Sequence, residues 1–160
     1  MQRRTFMTLA LGSAVYIGVG GKAFALDAKF EVVNKTNAEW EKLLPPDQYR
    51  ILRHEGTEAP FTSKLVDEHR AGTFHCAGCD LPLFKSESKY DSGTGWPSFF
   101  DSIKGHVETK DDNSLFMKRT EYHCAKCGGH HGHLFDDGPK PTGLRYCSNG
   151  AVLKFIPKGA

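Results

Sequence analysis

The chain lacks a hydrophobic run long enough to span a membrane. Residues 5 to 21 carry no charge, but they number 17, short of the about 20 that a helix needs to cross the hydrocarbon layer. It also lacks a marked excess of either charge: 21 Lys and Arg stand against 19 Asp and Glu. Arg3, Arg4 and Lys22 fall within the first 25 positions, so the remaining 135 residues hold 18 basic groups against 19 acidic ones, near −1. That balance argues against a nucleic-acid partner, whose phosphates demand a basic surface. No internal repeat, low-complexity tract or interdomain linker is visible, which leaves residues 26–160 as a single domain large enough to bury a core. Cysteine is scarce as well, at five residues, and the way those five are distributed is the most informative feature of the chain.

Residues 1–25 read as an export signal. Arg3-Arg4 precede the uncharged stretch, and Ala23-Phe24-Ala25 places small residues at the two positions a signal peptidase reads. The arginine pair followed by Thr5-Phe6-Met7, with Lys22 just before the cleavage point, is of the twin-arginine type, a route for folded, cofactor-loaded proteins. An ordinary secretory signal and a retained anchor stay open as alternatives. A mature chain beginning at Leu26 is expected in the periplasm or otherwise exported, without stable membrane association, and as a monomer.

Four cysteines form two Cys-x-x-Cys pairs, Cys76/Cys79 and Cys124/Cys127. Each pair presents two sulfurs to one side of a tight loop, and two such loops facing each other complete the tetrahedron of a closed structural zinc site. Gly78 lies inside the first loop, and Gly128 and Gly129 follow the second. The 44 residues between the pairs exceed the spacing of a compact zinc finger and must carry structure of their own. Two disulfides or two redox dithiols are the competing readings, but a redox pair normally occurs once and opens a helix.

The expected fold is α+β and mainly β: short N-terminal helices packed on an antiparallel β-rich body, with the four-cysteine structural zinc site at one edge. Thr36-Asn37-Ala38-Glu39 has the form of a capping box, and Pro45-Pro46 should stop the helix it starts. Asp47 is expected to cap a second helix through Arg53, and Thr62 or Ser63 to start a third reaching about His69. Beyond Gly72, short strands are expected at Thr73-Phe74-His75, Leu83-Phe84, residues 114–119 and residues 151–155.

Cys147 is left unpaired, in the run Arg145-Tyr146-Cys147-Ser148-Asn149. A thiol attacks only as thiolate, and a neighbouring arginine or imidazolium would lower its pKa toward that form. Histidines 130, 131 and 133, set among Gly129 and Gly132, are candidates for proton transfer, with a second metal site or a solvated turn as alternatives. A buried, inert thiol is the alternative for Cys147.

Four blocks give the chain a resemblance to a known family: residues 56–62 (GTEAPFT), 92–99 (SGTGWPSF), 133–139 (HLFDDGP) and 143–149 (GLRYCSN). Across nearly the whole mature length the chain resembles the B-type methionine sulfoxide reductases, which act on the R epimer at sulfur. The resemblance implies that Cys147 attacks the sulfoxide sulfur, releasing methionine and leaving a cysteine sulfenic acid. It implies that the substrate's methyl group packs on Trp96, that His130 and His133 surround the sulfoxide oxygen, and that Asn149, Asp137 and Arg145 form the supporting polar shell. Two departures stand out. Many members carry a second cysteine two positions before the tryptophan, where this chain has Thr94, so regeneration should fall to an external thiol such as thioredoxin. His131 stands where leucine is usual and reads as a peripheral substitution. A non-catalytic zinc module and a thiol peroxidase are the alternative functions.

Overall fold

The computed structural model describes residues 30–113 and 118–159. The signal expected over residues 1–25, and the first four residues of the strand expected at 114–119, lie outside the described residues. Helix α1 (Asn37–Leu43) begins as the sequence predicts, with the Thr36 hydroxyl accepting from the Glu39 amide and the Glu39 carboxylate accepting from the Thr36 amide. Helix α2 (Pro46–His54) starts two residues earlier than expected, with Pro45 rather than Asp47 at its cap. Pro46 occupies its first position, where a missing N–H costs nothing, and Asp47 sits in the first turn near the positive end of the helix dipole. Among the described residues no helix is long and apolar enough to cross a membrane.

The third helix does not form; residues 60–70 make irregular turns instead. A helix through this segment would use the Val66 carbonyl to accept from the Arg70 amide. That carbonyl accepts from Lys89 Nζ at 2.6 Å, and the Arg70 amide donates to the Glu68 carboxylate at 3.0 Å.

Among the described residues nine strands follow: β1 (Gly72–Cys76), β2 (Pro82–Lys85), β3 (Lys89–Tyr90), β4 (Ser98–Phe99), β5 (Val107–Asp112), β6 (Arg119–Cys124), β7 (His130–Phe135), β8 (Arg145–Ser148) and β9 (Leu153–Pro157). They form two antiparallel sheets, one ordered β2-β1-β9 and the other β3-β4-β8-β7-β6-β5. Between them lies an aromatic core in which Phe84 stacks on Phe99 with centroids 4.2 Å apart, and Phe74 meets Phe99 edge-on at 4.9 Å. Tyr122, Leu83, Ile51 and Val152 complete it, all fully buried. Each large side chain removed from water there is worth roughly 1.5–3 kcal/mol.

The other face of the six-stranded sheet is polar. Residues directly opposite each other in antiparallel pairs share a face, and the register lines up Tyr90, Ser98, Cys147, His133, Glu121 and Lys110 in one row across six strands. This row is the floor of the site.

Both Cys-x-x-Cys loops are turns between paired strands. The first joins β1 to β2, with the Asp80 amide donating to the Cys76 carbonyl; the second joins β6 to β7, with the Gly128 amide donating to the Cys124 carbonyl. Each sheet therefore supplies two of the four sulfurs. Gly128 has φ +65, and a residue with a Cβ would be strained there.

Candidate active site

Cys147 lies in the middle of β8, between β4 and β7, at the base of a cavity of about 160 Å³. Trp96, His133, Phe135, Arg119, Thr57 and Asn149 line the same cavity. Apolar rings on one side and polar groups on the other suit a small ligand that carries a methyl group and an oxygen. A larger surface groove, of about 380 Å³ between Lys85, Ser88 and Ile103, contains neither cysteine nor histidine.

His130 and His133 are three apart, which in a regular strand would turn their side chains to opposite faces. A β-bulge prevents this. Tyr122 pairs with Gly132 and His123 with His130, leaving His131 as the extra residue on β7. His130 and His133 then share the polar face, with ring centroids 5.5 Å apart. His131 is turned into the core, fully buried, with its ring stacked on Tyr122 at 6.4 Å. His131 thus lies away from the polar face, in the core rather than at the surface. Burial lowers its pKa to about 3, so it stays neutral throughout the physiological range.

Carboxylates that the sequence reading missed flank both site histidines. Asp112 Oδ2 accepts from His133 Nε2 at 2.8 Å and from Arg119 Nη2 at 2.7 Å. Glu121 is 2% exposed and lies 3.2 Å from His130 Nδ1, with Lys110 Nζ 3.0 Å away on its other oxygen. Burial lowers the His130 pKa, and Glu121 opposes that shift. Period-two spacing along β5 and β6 places Lys110, Asp112, Arg119 and Glu121 on one face. Only the strand pairing reveals that this face is the one Cys147 occupies.

The structure places Arg145, Asp137 and Asn149, the residues expected to form a polar shell, as follows. Arg145 grips Asp137 through two hydrogen bonds, Nε to Oδ1 at 2.7 Å and Nη2 to Oδ2 at 2.8 Å, and its guanidinium lies 4.2 Å over the Phe135 ring. This pairing holds the Asp137 carboxyl below the usual carboxylate range. Arg145 and the Thr94 hydroxyl are both close enough to Cys147 to favour its thiolate, yet burial outweighs them and leaves the thiol above its ordinary value. Arginine alone therefore does not make a resting thiolate here.

Asn149 acts on backbone rather than on the thiol. Its Oδ1 accepts from the Glu58 amide at 2.9 Å and its Nδ2 donates to the His131 carbonyl at 3.0 Å. Trp96 Nε1 donates to the Glu58 carbonyl at 3.1 Å, so the segment around Glu58 pins both the indole and β8. Close packing of β7 on β8 also needs Gly132, where an added Cβ would collide with the Cys147 carbonyl oxygen. Gly132→Ala should push Cys147 off its register by about 1 Å, and if Cys147 reacts there, a displacement of that size costs ~10²-fold in rate. Steady-state kinetics beside a melting curve will separate that loss from unfolding.

All five cysteines are free. The four knuckle sulfurs lie within 4.8 Å of one another, with Cys76 and Cys127 at 3.7 Å and Cys79 and Cys124 at 3.4 Å. A tetrahedron with Zn–S bonds near 2.3 Å has edges of about 3.8 Å, so the spacing fits one ion. Hydrogen bonds among the sulfurs hold Cys79 and Cys127 below the ordinary thiol range and Cys76 and Cys124 above it.

Comparison with known proteins decides the kinship. The SelR domain matches residues 44–157. The chain belongs to the SelR family. A peptide methionine sulfoxide reductase MsrB of Leptospira interrogans is 56% identical over 124 residues, 77% of this chain and 95% of that protein. Proteins of the same name from Pseudomonas putida and Agrobacterium fabrum are 54% and 52% identical, over 79% and 78% of this chain and 96% and 93% of theirs. Among solved structures, a Mis18 "Yippee-like" domain aligns at TM-score 0.46 and 16% identity, covering 57% of this chain and all of that one, which is too slight a likeness to argue from. In this SelR chain the four blocks that carry the resemblance converge in space: Thr57 and Glu58 from the first, Trp96 from the second, His133 and Phe135 from the third and Cys147 from the fourth meet around one cavity.

Proposed function

We propose that this chain reduces methionine-R-sulfoxide, protein-bound or free, to methionine, with Cys147 as nucleophile and an external thiol as final reductant. By family the chain is a methionine sulfoxide reductase, an oxidoreductase. The observation that carries the finer reading is the sharing of one small cavity by Cys147, Trp96 and His133. The substrate's methyl group packs on the Trp96 indole, leaving the oxygen toward His133 and, behind it, His130. Cys147 Sγ attacks the sulfoxide sulfur; the oxygen takes a proton and ends on Cys147 as a sulfenic acid, with methionine released. Asp112 and Glu121 orient the two imidazoles and stabilise their charged forms while the proton moves. Fixed methyl and oxygen subsites on either side of sulfur select one epimer.

Zinc is the ion we assign to Cys76, Cys79, Cys124 and Cys127. Four sulfurs and no oxygen or nitrogen donor make a closed structural site, and zinc there ties the two sheets together. Residues 1–25 support export by the twin-arginine route to the periplasm, which would deliver the zinc-loaded fold intact. Thioredoxin-like proteins or small thiols are the reductants we expect, and the protein is expected to act as a monomer.

The deciding experiment incubates the mature protein with racemic methionine sulfoxide and dithiothreitol, then separates the remaining epimers. Loss of the R epimer alone supports the reading; loss of both, or of neither, overturns it. Hydrogen peroxide competed against a methyl aryl sulfoxide separates it from a thiol peroxidase.

Thr94 supplies a further expected result. Its side chain already lies beside the Cys147 thiol, so Thr94→Cys should form a disulfide with Cys147 after one turnover, provided the Cα atoms come within about 7 Å. The unsubstituted chain should instead accumulate a sulfenic acid that dimedone traps. Intact-mass measurement after a single turnover reads both. A disulfide from Cys147 to a knuckle cysteine in the unsubstituted chain would overturn the purely structural reading of the zinc site.

A further inference from the structure

We propose that a small external thiol reaches the oxidised Cys147 through a second cleft, on the flank of the nucleophile away from the sulfoxide cavity. The proposal rests on the reductase reading above and adds the site for its second substrate. The second cleft has a volume of about 390 Å³ and is lined by Tyr90, Asp91, Ser92, Thr94, Asp137 and Arg145. None of these residues lines the sulfoxide cavity. Two side chains that interact with the Cys147 thiol, Thr94 and Arg145, line this second cleft.

The order of strands separates the two clefts. Cys147 faces His133 across β7 and Ser98 across β4. Thr94 belongs to the β4 flank, where its hydroxyl is joined through Ser92 Oγ to Ser98 Oγ by two contacts of 2.8 Å. Trp96 leans from the same loop over the first cavity, held there by its bond to the Glu58 carbonyl. On the far side of β8, the stacked pair of Phe135 and Arg145 divides the clefts, Phe135 facing the first and Arg145 the second.

The chemistry calls for two sides. A thiolate displaces hydroxide from a sulfenic sulfur in line, entering opposite the leaving oxygen. That oxygen comes from the sulfoxide and therefore lies in the first cavity, beside His133, which protonates it as it leaves as water. The incoming sulfur must then arrive from the Thr94 and Arg145 side. Its bond to Cys147 Sγ forms as the Sγ–O bond breaks. A second thiol attacks the incoming sulfur, returns Cys147 as thiolate and carries away the disulfide, so two thiols are oxidised for each sulfenic acid reduced. The cleft is fitted to this step. Arg145 favours the thiolate form of a sulfur brought near it. The Tyr90 hydroxyl, on a residue that lines this cleft, has no hydrogen-bond partner among the described residues. Asp137 is paired with Arg145; Asp91, whose charge is also felt by Lys89, is the other carboxylate in the lining.

The test begins with full-length mature protein converted to the sulfenic acid by one equivalent of methyl aryl sulfoxide. Failure of that conversion overturns the reductase reading itself. Decay of the sulfenic acid on adding dithiothreitol is then followed with and without saturating N-acetylmethionine amide, which occupies the first cavity. An unchanged decay rate supports separate clefts, and competitive slowing overturns them. Asp91→Asn keeps the acceptor for the Gly93 amide and removes only charge. It should speed decay with thioglycolate and slow decay with cysteamine by about two- to threefold each at low salt, leaving dithiothreitol unaffected. No change with either charged thiol, or decay with reduced thioredoxin but not with dithiothreitol, would overturn the proposal.

Discussion

Replacing Cys147 by serine should abolish methionine formation, by ~10⁴-fold or more, while leaving the fold intact. The two side chains differ only in oxygen for sulfur, and Cys147 is incompletely buried, so the packing of Phe135, Trp96 and His133 around it survives. The chemistry does not. A serine hydroxyl is a far weaker nucleophile, and it ionises far less readily than a thiol. Methionine release measured beside a circular dichroism spectrum decides it; appreciable turnover by a folded Cys147→Ser protein would end the assignment. A pH profile adds a finer check. Burial holds the thiol above its ordinary pKa, so the thiolate fraction, and with it the single-turnover rate, should climb as pH rises above neutral. Arg145→Ala removes a group that pulls the pKa down, and should move that rise to higher pH.

The second large effect is expected at Cys76, Cys79, Cys124 and Cys127, to which we assign zinc, on stability. Cys79→Ser or Cys124→Ser leaves three sulfurs where a closed site needs four. Metal affinity and folding are one free-energy change in such a site, and structural zinc is worth on the order of 10 kcal/mol in small domains. The whole stability of a domain is only about 5–15 kcal/mol. The two sheets meet at these knuckles, and α2 packs Leu52 against Gly78 and Gly129 there. Loss of the ion we assign there should thus release both sheet ends and the helix together, giving a protein that aggregates or melts far below the parent. Metal content by mass spectrometry and a thermal melt are the measurements. An active, unsubstituted preparation free of metal would contradict the zinc reading.

Local signals in the sequence were reliable where chemistry between near neighbours decides the outcome. The Thr36–Glu39 capping box forms because its two hydrogen bonds close within four residues. The Cys-x-x-Cys loops form because spacing and glycine alone put both sulfurs on one side of the turn. The expected third helix failed for a reason no local window contains: Lys89, over twenty positions away, takes the carbonyl it needed.

What the sequence by itself determined about this protein is the list of candidate groups: a lone cysteine apart from four that belong together, two histidines and a tryptophan, in blocks that resemble one family. Tertiary structure decided which of those groups face each other and what surrounds them. The bulge on β7 brings His130 and His133 to one face and buries His131, although all three look alike in a run of imidazoles. Strand register sets Asp112 and Glu121 behind the histidines, so two carboxylates inconspicuous in sequence become part of the site. Burial, a property of the folded assembly, outweighs Arg145 in setting the state of Cys147. Side-chain identity is local, whereas pairing, burial and electrostatic environment are sums over residues far apart in the chain, and those sums exist only once the two sheets have closed.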